Sequence, residues 1–257
     1  MKKIVFTILL AIAFGSNALM AQTAVSSDPF EVQTRFYKAA LKNYDLQAAT
    51  VALYTMLAIK PERTDLNDSL ALVYFAGERF AQAYLIGEAI LKEQPKRKDM
   101  LELVAVSKQN LGLIKESLAD YETLYGIDKS VFYLYQMATL QYQLKRFGEC
   151  IASLDQILAN PDADKQKVSI RLQQGSQEVP MKAAAYNVKG ICAMELNQPD
   201  AAKDNFTKAI GLFPDFALAK GNLEALNKKG TDKGAAGSGT KAPVTTNKTA
   251  GTPPKKQ

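Results

Sequence analysis

The chain contains segments of about a dozen residues in which apolar positions recur every three or four residues, as on helices with one buried face. These segments come in pairs between residues 30 and 227, and prolines close most of the pairs. Pro61 and Pro95 are 34 residues apart, and Pro161 follows 66 residues later, close to two further periods. Because one helix pair cannot bury its apolar face alone, this pattern predicts a tandem stack of pairs.

Five units fit the period, at residues 30–61, 64–95, 98–129, 131–161 and 183–214. In the last four units, small residues stand where the two helices would cross, and larger side chains there would force the helices apart. These residues are Ala71, Ala105, Ala138 and Gly190 on the first helices, and Ala83, Ser117, Cys150 and Ala202 on the second helices. After the fifth unit, apolar residues at helical spacing predict a capping helix that ends near residue 227.

The last unit resembles a tetratricopeptide repeat, and it reads YNVKGICAMELNQPDAAKDNFTKAIGLFP. The matching positions, in that family's order, are Tyr186, Gly190, Ala202, Phe206, Ala209 and Pro214. The resemblance extends over residues 30–227, although the first unit is degenerate, the third lacks the closing proline and no unit has the family's tryptophan. It implies an all-α, right-handed solenoid of about five helix-turn-helix repeats, with a protein or peptide partner on its concave face.

The spacing between the fourth and fifth units is too long for one repeat. From Pro161 to Pro214 there are 53 residues, 19 more than one period. The surplus lies in residues 162–182, where Val168, Ile170 and Leu172 alternate with polar residues, as in a strand with one buried face.

We therefore predict a β-hairpin over residues 165–180, with Gly175 in its turn and Pro180 closing the return strand. The alternative is a short helix over residues 164–174 that Gly175 caps. The hairpin either covers apolar helix surface or offers its outer edge to an extended peptide as a second partner surface.

The first residues have the pattern of a signal peptide. Two lysines, Lys2 and Lys3, precede an apolar run over residues 4–14 that is too short to span a bilayer, and cleavage is expected after Ala21. A retained signal anchor is the alternative. We expect an exported protein, periplasmic in a cell with two membranes or otherwise secreted, with a short linker at residues 22–29.

The net charge of +6 comes from the ends of the chain. Residues 228–257 carry +6 and the predicted signal peptide carries +2, so residues 22–227 carry −2. The basic composition therefore does not indicate nucleic-acid binding. Residues 228–257 are rich in Gly, Thr, Lys and Pro, and we predict that they are disordered. Their lysines suggest an alternative function, in which the tail tethers the protein to an anionic envelope surface.

The residue types restrict the possible chemistry. The chain has no histidine, which excludes Ser-His-Asp and Cys-His catalysis and histidine-ligated zinc. No glycine-rich phosphate-binding motif occurs, so we expect no enzyme activity, no cofactor and no metal site. Cys150 and Cys192 are the only cysteines. Export would permit a disulfide between them, and the alternative is two buried, unreactive thiols.

We predict that Phe132, Tyr135, Thr139 and Tyr142 contact the partner, because their spacings of three, four and three place them on one side of a helix. Asn187 is the predicted contact in the fifth unit. Aromatic side chains at such positions offer a peptide rigid contact area. The alternative is that these residues pack in the core or between repeats.

Acids occupy the matching positions of the second and third units, at Asp65, Asp68, Asp99 and Glu102. They form either an acidic rim for a basic ligand or first-turn acids that the helix macrodipole favours. Family members that bind the C-terminal carboxylate of chaperones have Lys, Arg and Asn in the groove. The resemblance therefore does not imply that activity here.

Overall fold

The computed structural model describes residues 28–231, so the predicted signal peptide and most of the basic tail lie outside the described residues. Within that range the chain forms eleven α-helices, one short 3₁₀ helix (Pro161–Asp164) and one β-hairpin. The α-helices are α1 (Pro29–Lys42), α2 (Leu46–Ile59), α3 (Leu66–Ala76), α4 (Phe80–Glu93), α5 (Lys98–Asn110), α6 (Ile114–Asp128), α7 (Val131–Gln143), α8 (Phe147–Ala159), α9 (Met181–Glu195), α10 (Pro199–Leu212) and α11 (Ala217–Thr231). The strands are β1 (Lys167–Arg171) and β2 (Ser176–Pro180).

The chain divides into two compact units, one ending at Glu62 and the other beginning at Arg63. The first contains α1 and α2, which pack against each other. The second contains four further pairs, from α3–α4 to α9–α10, and each second helix packs against the first helix of the next pair. The capping helix α11 packs against α10, and its last turn lies in the segment predicted as tail. The predicted all-α stack of helix pairs with a hairpin before the last pair is confirmed.

The two helices of every pair are joined by the same type of tight turn. In each turn a backbone N–H donates to the carbonyl five residues earlier, and the residue before that donor has a positive φ, as in a Schellman motif. The positive-φ residues are Tyr44, Glu78, Gly112, Lys145 and Asn197. Only one of the five is glycine, so most turns hold a side chain in a conformation that ordinary residues disfavour.

Small residues allow the helices of a pair to approach closely, as the sequence predicts. The Ser117 hydroxyl donates to the carbonyl of Ala105 at 2.8 Å, directly across the α5–α6 crossing. At the α9–α10 crossing, a Cβ on Gly190 would lie 2.5 Å from the ring of Phe206, which is itself fully buried. A side chain at position 190 fits only if the Phe206 ring or one of the two helices moves.

Gly190→Ala is therefore expected to destabilise the protein by about 1–3 kcal/mol, because the new methyl group overpacks the crossing. Gly211→Ala is the matched control, since a Cβ at Gly211 in α10 meets only open space. That substitution should be neutral or slightly stabilising, because alanine is the better helix former. Urea denaturation compares the two variants, and equal free energies of unfolding would contradict the close crossing.

The insertion forms an antiparallel hairpin in which Val168 lies opposite Val179 and Ile170 lies opposite Gln177. Gly175 has a φ of 82° in the connecting turn. The alternative helix over residues 164–174 does not form. The hairpin prediction is therefore correct in its strands and in its turn residue.

One face of the hairpin packs into an apolar cluster of the second unit. Val168, Ile170 and Val179 are buried there together with residues of α7, α8, α9 and α11. The Gln177 side chain fixes the hairpin to the start of α11, because its amide nitrogen donates to the Asp215 carbonyl at 2.6 Å and its amide oxygen accepts from the N–H of Ala217 at 3.2 Å. The hairpin thus covers apolar helix surface.

Candidate functional site

The first helices α3, α5 and α7 are brought together by one apolar cluster. Phe75 of α3 packs against a cluster that contains Ala105 of α5 and Tyr133 of α7. An ion pair also joins α3 to α5, because Arg97 at the start of α5 contacts Asp68 of α3 at 3.1 Å. The first-helix face is the side of these helices whose residues recur at spacings of four and three. It consists of Asp68, Leu72 and Phe75 on α3; Glu102, Val106 and Gln109 on α5; Tyr135, Thr139 and Tyr142 on α7; and Asn187, Ile191 and Met194 on α9.

Two of the predicted partner contacts on α7 lie in the interior. Tyr135 is 1% exposed, within a cluster shared with α8 and α9, and burial raises the pKa of its hydroxyl above the usual range. Thr139 is also buried, and its hydroxyl donates to the carbonyl of Gln136 at 2.8 Å. Both side chains are inaccessible to a partner in this structure, which favours the alternative that they pack in the core. Tyr135 and Thr139 are packing residues in this structure.

The capping helix covers the first-helix face at the fifth repeat. Asn187 is 1% exposed, and its side-chain oxygen accepts a hydrogen bond from the amide of Asn222 in α11 at 3.0 Å. Leu223 and Leu226 of α11 pack against the apolar cluster of the same repeat, which includes Ile191. The predicted partner contact at Asn187 is therefore a contact with the capping helix.

Partly exposed apolar groups remain on α3 and α7. Leu72 is 53% exposed, and Phe75, Phe132 and Tyr142 are half-buried. The Tyr142 ring lies 5.8 Å from the ring of Phe147, and its hydroxyl is 3.4 Å from Glu195. Burial and the Glu195 carboxylate raise the pKa of Tyr142 to about 12, so this phenol is neutral at physiological pH.

Leu72 and Phe75 belong to this face but are not among the partner contacts that the sequence pattern predicts. The repeat period could have identified them. Leu72 and Val106 are 34 residues apart, as are Phe75 and Gln109, and the equivalent positions of the next unit are Thr139 and Tyr142. The repeat period alone would have extended the predicted face to α3.

The predicted acidic rim is occupied by partners from the same chain. The Arg97 guanidinium contacts both Asp68, at 3.1 Å, and Asp99, at 2.6 Å, and it lowers the pKa of Asp99. Arg63 forms an ion pair with Asp65 at 2.7 Å. These contacts favour a structural role for the three aspartates, in which arginines neutralise them at the start of α3 and α5.

Glu102 is also engaged inside the protein. It accepts a hydrogen bond from the Tyr133 hydroxyl of α7, and burial raises its pKa above the usual value. Lys98 lies close enough to oppose that rise electrostatically. The carboxylate thus links α5 to α7 and is not an open acidic group for a ligand.

Two features of residues 28–231 bear on chemistry and on membranes. Among residues 28–231, no three His, Cys, Asp or Glu side chains come together in a way that could hold a metal ion. In that same part of the chain, no helix has both the length and the apolar character needed to cross a bilayer.

Comparisons with known proteins agree with this geometry. Residues 183–216 match the sequence model of the tetratricopeptide repeat, whereas no curated protein matches the sequence significantly. The solved structure of YrrB, a TPR protein with an unusual peptide-binding site, is similar over 75% of this chain and 90% of its own, with 14% identity and a TM-score of 0.58. MamA from Desulfovibrio magneticus RS-1 is similar over 74% of this chain and 98% of its own, with 10% identity and a TM-score of 0.57.

At such low identities, the structural similarity concerns the fold alone. The matched repeat is the one whose sequence follows the family pattern most fully, and the other helix pairs share its type of tight turn. Residues 183–216 therefore form a tetratricopeptide repeat, within a stack of helix pairs whose fold is similar to that of a solved tetratricopeptide repeat protein.

Proposed function

We propose that this protein is an exported, non-catalytic scaffold that binds another protein or a peptide on the first-helix face. The observation that carries the proposal is the exposure of Leu72 beside Phe75, on helices that are otherwise closely packed. Half-buried aromatic and leucine side chains on rigid helices supply contact area at low entropic cost. YrrB, which shares the fold, has a peptide-binding site, and this likeness supports the same class of ligand here.

The part of the face that we assign to the partner extends from α3 to Tyr142 of α7. At the fifth repeat, Asn187 is covered by α11, so a ligand of extended form would be held by the earlier repeats. Phe132 is retained as a contact because its ring is half-buried, at the edge of the cluster that Phe75 joins. Leu72, Phe75, Phe132 and Tyr142 are therefore the proposed contacts.

Leu72→Asp is expected to lower recovery of the bound protein at least about fivefold, because an exposed apolar contact at a binding centre contributes more than about 1 kcal/mol. Leu85→Asp is the matched control, since Leu85 is 64% exposed on the second helix α4. The measurement is quantitative recovery after cross-linking in an envelope fraction, with Tyr142→Ala as a further variant. Equal recovery with wild type, Leu72→Asp and Leu85→Asp would contradict the proposal.

The alternative function is attachment to an anionic envelope surface through the basic tail. Residues 228–257 contain seven lysines and one aspartate, which favours such a contact. Removing residues 232–257 separates the two functions, because that change leaves α11 intact. A scaffold keeps its partner after the truncation, whereas a tethering factor is released from the envelope fraction.

A further inference from the structure

The fold brings the only two cysteines of the chain into contact. Cys150 lies on α8 and Cys192 on α9, in successive repeats and 42 positions apart. Their sulfur atoms are 3.4 Å apart, and both residues are completely buried. A chain with two thiols among 257 residues has no general reason to place them side by side across an insertion.

We propose that Cys150 and Cys192 are a site of covalent modification, where an intramolecular disulfide ties α8 to α9. The bond requires the sulfurs to approach by about 1.4 Å, from 3.4 Å to about 2.0 Å, which side-chain rotation and a small helix shift supply. The closed loop contains the 3₁₀ helix and both strands of the hairpin. The inference rests on the proposed export, because disulfides persist in oxidising compartments.

The oxidation proceeds by thiol–disulfide exchange with a disulfide-bearing oxidoreductase or a small-molecule disulfide. One cysteine thiolate attacks a sulfur of that donor, which forms a mixed disulfide and releases the first donor thiolate. The second cysteine thiolate then attacks the chain's own sulfur in the mixed disulfide, which forms the Cys150–Cys192 bond and releases the second donor thiolate. The chain loses two protons and two electrons, and the donor disulfide is reduced to two thiols.

The burial of the pair determines when the bond forms. Hydrogen bonding to Cys192 and burial raise the pKa of the Cys150 thiol, so the folded dithiol contains little thiolate. The exchange therefore occurs during folding, before α8 and α9 have packed against each other. Once formed, the bond is shielded from reductants by the same packing, and it closes a loop that contains the hairpin.

The test is refolding of the purified full-length protein in oxidised or reduced glutathione, followed by denaturation and maleimide labelling. We expect no labelling after oxidative refolding, an intact mass lower by about 2 Da, and a melting temperature higher by about 5–10 °C than that of the reduced form. The Cys150→Ala/Cys192→Ala double variant is the control, and its melting temperature should not depend on the glutathione redox state.

Labelling of both thiols after oxidative refolding would overturn the proposal, as would an oxidised form that melts no higher than the reduced form. Cell fractionation measures export separately, so a cytoplasmic protein that still forms the bond on refolding refutes only the export. Thiol trapping with acid and maleimide in whole cells completes the test. An exported wild-type protein that is labelled on both cysteines would overturn the disulfide as its natural state.

Discussion

Ile170→Asn is expected to lower the free energy of unfolding by about 4 kcal/mol. Replacing a buried isoleucine by a much smaller side chain costs about 2–5 kcal/mol, and the new amide must also lose its water. Ile170 is 1% exposed in the cluster that joins the hairpin to α8, α9 and α11. A loss of this size is expected only if the hairpin is an integral part of the core of the last repeat.

Ser169→Asn is the matched control, because Ser169 is the neighbouring residue and points to the opposite face of β1. Its effect should stay within about 0.5 kcal/mol, as for most surface substitutions. Urea denaturation followed by circular dichroism measures both variants, and Ile170→Ala, with an expected loss of about 3 kcal/mol, serves if the asparagine variant does not fold. A surface decoration would give equal stabilities for all of them.

The second large effect is expected at Lys108, a buried lysine between two carboxylates. Its ammonium lies 2.8 Å from Glu88 of α4 and 2.8 Å from Asp120 of α6, so it joins three helices. Burial opposes its charge, but hydrogen bonds to Asp120 and Glu88 raise its pKa above the usual value. Lys108→Met leaves those acids without a counter-ion and should cost about 3 kcal/mol at pH 7.

This loss should depend on pH in a direction that the structure fixes. Burial raises the pKa of Asp120 even beside Lys108, and removing the lysine takes away the interaction that lowers it. Glu116, which also acts on Asp120, reinforces the rise. The carboxyl of Asp120 has a pKa of about 4 in the unfolded variant and a higher pKa in the folded variant. Between these two pH values the folded state binds more protons than the unfolded state, so the stability of the variant falls as the pH rises.

The loss in free energy of unfolding that Lys108→Met causes, relative to wild type, should therefore decrease from about 3 kcal/mol at pH 7 to about 1–2 kcal/mol near pH 4. Urea denaturation of variant and wild type at both pH values measures it. The control is Lys208→Met, whose ion pair with Asp204 is on the surface and should give no resolvable change at either pH. A deficit that is constant with pH would show that the lysine acts through packing and not through charge.

The repeat architecture was predictable because its causes are local and periodic. Prolines that end most of the units and alanine-sized residues at the crossings fix the helix pairs, and the alternation of Val168, Ile170 and Leu172 indicates the hairpin. The turns within the helix pairs were harder to predict from the sequence. Tyr44, Glu78 and Lys145 take the left-handed conformation that glycine would mark, so the tertiary packing of the helices imposes these turns on unfavourable residues.

The candidate site was predictable only in part, since periodicity identifies the side of a helix but not what covers it. Tyr135 and Tyr142 share one side of α7, yet the first is buried and the second is half-exposed. Likewise, Asn187 occupies a groove position in the repeat register, but α11 closes that position through Asn222. Which residues of the face stay open depends on contacts between elements that are distant in the sequence.

The central claim is that the partner lies on the first-helix face of the earlier repeats, while the last repeat is closed by its own cap. The most direct measurement is site-specific photo-cross-linking in cells, with the photoreactive residue placed at position 72, 85 or 187. Position 72 is on the open part of the first-helix face, position 85 on the second helix α4 and position 187 under α11. We predict one discrete cross-linked species from position 72 and none from the other two positions. Cross-linking of the same species from position 85 but not from position 72 would contradict this account.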